Sequence, residues 1–310
     1  VNTTLKNEKH TDQVSLLIPN FTSSGLGDRM VDVFLVSLFK NCYSNIKQVF
    51  IPWFEFKKEW CHHSVPQYRF QDILMKNILS HMNIPSGVEL ISEHDFSFAA
   101  NQTNLHVLDY RLNGAAEPQW LVFRDGFADL DGFYNHYLSQ FHPRLPYHVF
   151  KSAIEKTIDE FSFCDEIQQL VSSISNEPFA CVHIRRTDKV RQIKADKYMI
   201  DYTELDELDE LTRKAILKVK EDGLTRFYIS CDSETDQSYE QYREFILGFG
   251  GTVIPKISVQ DRWKITYYEL AIMIKSSLII QSQVSSGFSN LASLLGRTRL
   301  LNVFSMKGNP

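Results

Sequence analysis

Residues 179–190, FACVHIRRTDKV, hold the reading that decides the fold. Phe179, Ala180, Cys181, Val182 and Ile184 form a short apolar run rich in β-formers behind Pro178, and the run gives way to His183, Arg185, Arg186 and Asp188. This predicts a buried strand whose carboxyl end spills polar groups into a loop. In open α/β sheets ligands bind outside such carboxyl ends. Adjacent arginines there suit an anion, because each guanidinium is a rigid fork of donors matched to phosphate or carboxylate oxygens.

Outward from that stretch, the second half of the chain repeats strand, polar loop, helix. RFYISC (226–231) predicts a strand ending at Asp232, with a helix expected from Ser233. FGGTVIP contains the next strand, ITYYELAIMIKSS a helix, and SLIIQSQ a further strand. That strand ends at VSSGFSNLASLLG, where Ser285, Ser286, Gly287 and Ser289 open a helix with hydroxyls and backbone amides at its positive end. The charged segment from Tyr202 to Gly223 predicts a helix with one solvated face. His183, Arg185, Arg186 and Asp188, then Asp232, then Ser285 and Ser286 thus lie at three strand ends, the pattern of a parallel sheet with a phosphorylated ligand along its carboxyl edge.

The first half starts the same way. VSLLIP (14–19) predicts a strand, and FTSSGLGDRM leads into a helix expected from Asp28. Gly25 and Gly27 would free backbone amides to face a ligand, but the third glycine of a dinucleotide fingerprint and the Lys-Ser/Thr of a P-loop are missing, which argues against NAD and ATP. KQVFIPWF predicts a strand, residues 70–83 an amphipathic helix with Ile73, Leu74, Ile78, Leu79 and Met82 on its apolar stripe, and VELIS, LHVLDY and QWLVFR further strands. The rings of Phe127, Phe133, Tyr134, Tyr137 and Phe141 read as packing rather than as a sugar platform. A division near residue 150 follows, with domains at 1–150 and 151–310.

Composition bounds the function. The chain has 310 residues, 43% of them hydrophobic, enough for two cores. A net charge of −5 without long runs of one sign excludes the electrostatic footprint of a nucleic-acid binder, so the arginines are a local device. No stretch approaches the roughly 18–20 consecutive apolar residues of a membrane span. A cytoplasmic location is expected, with the Golgi lumen as alternative if an anchor ahead of Val1 has been removed. Five cysteines lack metal-ligand spacing. Cys181 and Cys231 read as core residues, and Cys42 and Cys61 could pair in an oxidising compartment.

HIRRTDK resembles the His-x-Arg-Arg-Thr-Asp-Lys motif of the α1,6-fucosyltransferases, the branch that holds the core fucosyltransferase of N-glycans and the bacterial nodulation fucosyltransferase. SSGLGDRM is similar to that family's first glycine loop, FYISCDS to its second-domain strand ending in aspartate, and YYELAIMIKSSLIIQSQVSSGFSNLA to its carboxyl-terminal motif. The resemblance implies a GT-B-like α/β fold of two Rossmann-like domains facing a central cleft, the first on the acceptor side and the second binding the GDP-sugar. It implies GDP-fucose as donor, an oligosaccharide or glycoconjugate as acceptor, inversion at the fucose anomeric carbon, and neither metal nor cofactor. Carried over by position, Arg185 is the donor-phosphate arginine, His183 and Glu269 lie where the family contacts guanine, Ser285 and Ser286 at its phosphate-facing turn, and Asp232 at its second strand end. Glu269 stands where the α1,6 enzymes usually have aspartate.

Transfer from a nucleoside diphosphate needs positive charge at the β-phosphate as the bond breaks and a base for the acceptor hydroxyl. Arg185 with Arg186 can supply the first. The family's glutamate after the motif has no counterpart in Arg191–Ala195, so Asp196 is the first candidate base and Asp188, whose other reading is a structural one that holds the arginine loop, the second. Two alternatives stand beside α1,6-like transfer: transfer to a 2-hydroxyl as in the α1,2 branch, and a catalytically silent GDP-sugar or glycan-binding protein.

Overall fold

The computed structural model describes residues 14–17, 26–44, 46–52, 75–91, 105–107, 134, 145–174, 176–185, 190–191, 200–201, 205–231, 237–256, 262–283 and 286–306. The first half runs β1 (Val14–Leu17), α1 (Leu26–Cys42), β2 (Ile46–Pro52), α2 (Met75–His81), β3 (Met82–Asn83), β4 (Val88–Ile91) and β5 (Leu105–Val107). Next come α3 (Tyr147–Glu160), β6 (Ser162–Phe163), which pairs antiparallel with β3, and α4 (Asp165–Ile174). The second half runs β7 (Ala180–Ile184), the short parallel pair β8 (Val190–Arg191) and β9 (Ile200–Asp201), α5 (Leu205–Glu221), β10 (Arg226–Cys231), α6 (Gln237–Gly248) and β11 (Thr252–Val253). It closes with α7 (Arg262–Lys275), β12 (Leu278–Gln281), α8 (Gly287–Gly296), β13 (Arg299–Asn302) and a 3-10 turn, Val303–Met306.

Two parallel sheets result. The first has the order β4-β2-β1-β5 and the second β11-β10-β7-β12-β13. Counted in chain order within the second sheet, that is 3-2-1-4-5, a doubly wound order that reverses between β7 and β12. The first sheet follows the same rule over four strands and reverses between β1 and β5. Two Rossmann-like halves of this kind make the expected GT-B-like α/β fold.

Burial explains why the strands are where they are. Ala180, Val182 and Ile184 of β7 face a core with Leu208, Ala215, Ile216 and Val219 of α5. Those α5 positions recur at helical spacing, while the intervening acids and lysines lie outside the core, as the charge pattern predicts. Cys181 faces the other way, into a core that runs on through α7 and α8 to α1 and β2 of the first sheet. α7 is apolar nearly all round because it is enclosed on several sides, with Tyr267, Tyr268, Leu270, Ala271, Ile272 and Met273 all buried.

The two halves meet at α1. Asn41 Nδ2 donates to Thr157 Oγ1 and Glu160 Oε2 of α3 at 2.9 and 3.2 Å. At its other end, α1 meets α8 so closely that a Cβ on Gly27 would lie 2.3 Å from the Phe288 backbone nitrogen. Arg297, just past α8, pairs with Glu155 and with Asp159 (3.0 Å) of α3, both exposed contacts that add little.

Several expectations are corrected. α1 starts at Leu26, ahead of Asp28, so Gly27 lies in the first turn of the helix, and its missing side chain serves packing against α8. α2 is shorter than the predicted 70–83, giving way to β3 at Met82, and Leu79 of the expected apolar stripe is 49% exposed. α4 and β13 were not anticipated. Cys42 is a buried free thiol, pushed up to about 12 by burial, and does not form a disulfide. Tyr134 packs against Tyr147 and Phe150 and donates to the Leu145 carbonyl at 2.6 Å, as a packing ring should. The other rings of that group, Cys61, QWLVFR and Ser233 lie outside the described residues.

Gly27→Ala should lower the unfolding free energy by about 1–3 kcal/mol, because the methyl meets backbone that cannot swing aside. Gly248→Ala, at a position with nothing within 4 Å, serves as control and should be neutral or slightly stabilising. Equal denaturation midpoints for the two variants would contradict the close approach of α1 and α8.

Candidate active site

β7 is hydrogen-bonded on both edges and covered on both faces, so any polar side chain on it needs a partner inside the protein. Residues paired across parallel strands point to the same face. The register places Tyr228, Cys181, Ile279 and Leu300 in one line across β10, β7, β12 and β13. Two residues toward the carboxyl edge, Ser230, His183, Gln281 and Asn302 form the next line on the same face. The lower row is apolar apart from one phenol. The upper row is entirely polar, and its members are no more than 5% exposed.

Every member of this row is hydrogen-bonded through its side chain. Asn302 Nδ2 donates to Gln281 Oε1 at 2.9 Å, and Gln281 Nε2 donates to Ser289 Oγ at 2.6 Å in α8. Gln283 Nε2 lies 3.1 Å from His183 Nδ1. With the amide in this orientation Nδ1 accepts, which leaves the ring proton on Nε2. The buried Oε1 of Gln283 has no partner among the described residues. The His183 ring lies 5.9 Å from that of Phe288, in the first turn of α8.

The row ends in a carboxylate. Glu269 of α7, partly buried, accepts from Ser230 Oγ at 3.0 Å and from Tyr228 Oη at 3.4 Å. Burial first, and the Glu269 charge second, push the Tyr228 hydroxyl far above its ordinary range, so it stays a donor. The same two causes, in the same order, raise the Cys181 thiol and make it unreactive.

The opposite side of the site favours negative charge. Arg185, half-buried, follows β7 directly, at the same sheet edge where the chain leaves β12 for α8. Ser282 N donates to the His183 carbonyl at 3.0 Å, carrying the β7–β12 ladder one step further. α8 then begins behind Ser286, whose side chain caps it by accepting from Phe288 N at 3.3 Å. Helix starts carry partial positive charge. The carboxyl edge at the reversal point therefore carries Arg185 and a helix N-terminus, with the Glu269 carboxylate one strand away, against β10.

Of the residues singled out in the sequence, the structure brings His183, Arg185, Glu269 and Ser286 to this one edge, and Gly27 into the contact beside Phe288. Arg186, Asp188, Asp196, Asp232, Ser285 and Gly25 lie outside the described residues. Ser230, Tyr228, Gln281, Gln283 and Asn302 escaped the sequence reading. For Ser230 and Gln281 the signal is a polar residue near the end of an apolar strand, RFYISC and LIIQ, at the depth of His183 in ACVHI. Among the described residues no three His, Cys, Asp or Glu side chains gather as a metal site, and no helix is long and apolar enough to cross a membrane.

No protein-family model and no curated protein matches the sequence. Similar solved structures include POFUT1 in complex with GDP-fucose, 13% identical over 93% of this chain and 95% of that one, with a TM-score of 0.45. NodZ alpha-1,6-fucosyltransferase soaked with GDP-fucose is 14% identical over 92% and 93%, TM-score 0.45. The fucosyltransferase NodZ from Bradyrhizobium is 13% identical over 92% and 94%, TM-score 0.45.

Gln281 bridges β13 and α8, so Gln281→Leu strands a buried Asn302 amide and frees a buried Ser289 hydroxyl. The loss should be about 1–3 kcal/mol of unfolding free energy. An unchanged denaturation midpoint would contradict the bonded polar row.

Proposed function

We propose that this chain is an inverting fucosyltransferase that moves L-fucose from GDP-fucose to a glycan hydroxyl, with α1,6-like linkage and without a metal. The observation that carries the reading is the pairing, at the reversal point of the second sheet, of the strand end His183–Arg185 with the start of α8, and of Glu269 at the far end of the same polar row. A nucleoside diphosphate has the same polarity, with an anionic diphosphate at one end and a hydrogen-bonding base at the other.

In this reading Arg185, with Arg186, takes the charge that collects on the β-phosphate as the glycosidic bond breaks. Ser286, at the capped start of α8, is assigned to the phosphates together with its chain neighbour Ser285. Glu269, held by Ser230 and Tyr228, accepts from the N1–H and 2-amino group of guanine. His183 is assigned to the base, and Asp232 to the donor site. The acceptor hydroxyl attacks the anomeric carbon from the face opposite GDP, and its proton passes to a carboxylate, Asp196 before Asp188. Residues 1–150, with Gly25 and Gly27 at their first loop and helix, form the acceptor side, and 151–310 hold the donor.

A second reading follows from the acid-free run Arg191–Ala195: a protein that binds the GDP-sugar without turnover. One assay separates the two. With labelled GDP-fucose, a glycan acceptor panel and EDTA, the wild type should give fucosylated product. Arg185→Ala should lose about 10²–10³-fold of the rate at an unchanged denaturation midpoint, the range typical for removing one donor to a developing oxyanion. Full transfer by Arg185→Ala would refute its role, and GDP binding without any transfer by the wild type would establish the silent binder.

A further inference from the structure

A glutamate on a helix has three side-chain torsions and samples several rotamers unless something holds it. Glu269 is held from the neighbouring strand, one oxygen by Ser230 and the other by Tyr228. Both donors are about 1% exposed, so water cannot take over either bond. They also lie two residues apart on one face of β10, with Ser230 level with His183 and Tyr228 level with Cys181, so the strand fixes both donors relative to the carboxylate. Both donors are neutral hydroxyls, which orient the carboxylate without cancelling its charge.

We propose that Ser230 and Tyr228 are positioning residues that set the Glu269 carboxylate for two parallel donors on a purine edge, and so make the site select guanine over bases that lack the 2-amino group. The proposal rests on reading Glu269 as the base-recognising acid. Hypoxanthine offers the carboxylate only N1–H. Adenine turns a bare N1 acceptor toward it, which repels. Selection of this kind depends on orientation: a carboxylate free to rotate can meet a single donor equally well from many angles, but two donors only from one.

Calorimetric dissociation constants for GDP and IDP, with the wild type, Ser230→Ala, Ser230→Thr and Tyr228→Phe, test this. The wild type should favour GDP over IDP by about tenfold, in line with one hydrogen bond to a charged group. Ser230→Ala and Tyr228→Phe should each reduce that ratio to about twofold, chiefly by weakening GDP, and Ser230→Thr, which keeps the hydroxyl, should restore it. A merely structural role would weaken both nucleotides together and leave the ratio alone, which would overturn the proposal. Should Ser230→Ala unfold, as its denaturation midpoint will show, Tyr228→Phe carries the same readout. Absence of GDP binding by the wild type would overturn the nucleotide reading and this proposal with it, whereas GDP binding with unaltered ratios overturns the positioning role alone.

Discussion

A strand paired on both edges and buried on both faces has no route to water, and β7 is such a strand. The imidazole of His183 must therefore be answered by protein, and the rest of the site follows from how it is answered. Its strand neighbours Ser230 and Gln281 are polar at the same level, and each hands its remaining bonds outward, to Glu269 in one direction and to Asn302 and Ser289 in the other. An unsatisfied member would cost free energy in a low-dielectric interior, so each member of the row needs its own partner. That requirement rigidifies the carboxyl edge of the second sheet, where chemistry at a strand end needs fixed groups.

Rigidity also comes from the junction between the halves. The core on the His183 face of the second sheet continues into α1 of the first, and the α1–α8 approach is backbone against backbone at Gly27. The start of α8, which carries the positive end of that helix, is thus braced by the first half of the chain. Placement of the site therefore depends on both sheets even though its described residues come from one.

Much of this was legible in the sequence. ACVHI, RFYISC and LIIQ read as buried strands because they are unbroken apolar runs with turn residues behind them, and the alternation of strand and helix pointed to parallel sheets. His183, Arg185 and Ser286 are legible because each sits at or beside a strand end, whereas Glu269, inside a helix, is reached only through the family resemblance. Ser230 and Gln281 were passed over since a single serine or glutamine in an apolar run looks like a blemish until register, a nonlocal property, lines it up with others. β13 was missed because RLLN is four residues long and bounded by polar ones. Gly27 reads as a loop residue in the sequence because its packing partner, Phe288, lies in the other half of the chain, beyond any local pattern. Leu79 shows the converse error: helical periodicity assigned it to the core, but the described helix is only seven residues long and gives way to β3 just beyond it.

Where a nucleoside diphosphate sits is settled by a crystal structure of the protein soaked with GDP. With the proposed site at the reversal point between β7 and β12, the diphosphate is expected between Arg185 and the first turn of α8, with the base against Glu269. GDP seated elsewhere, for instance at the reversal point between β1 and β5 of the first sheet, would contradict it.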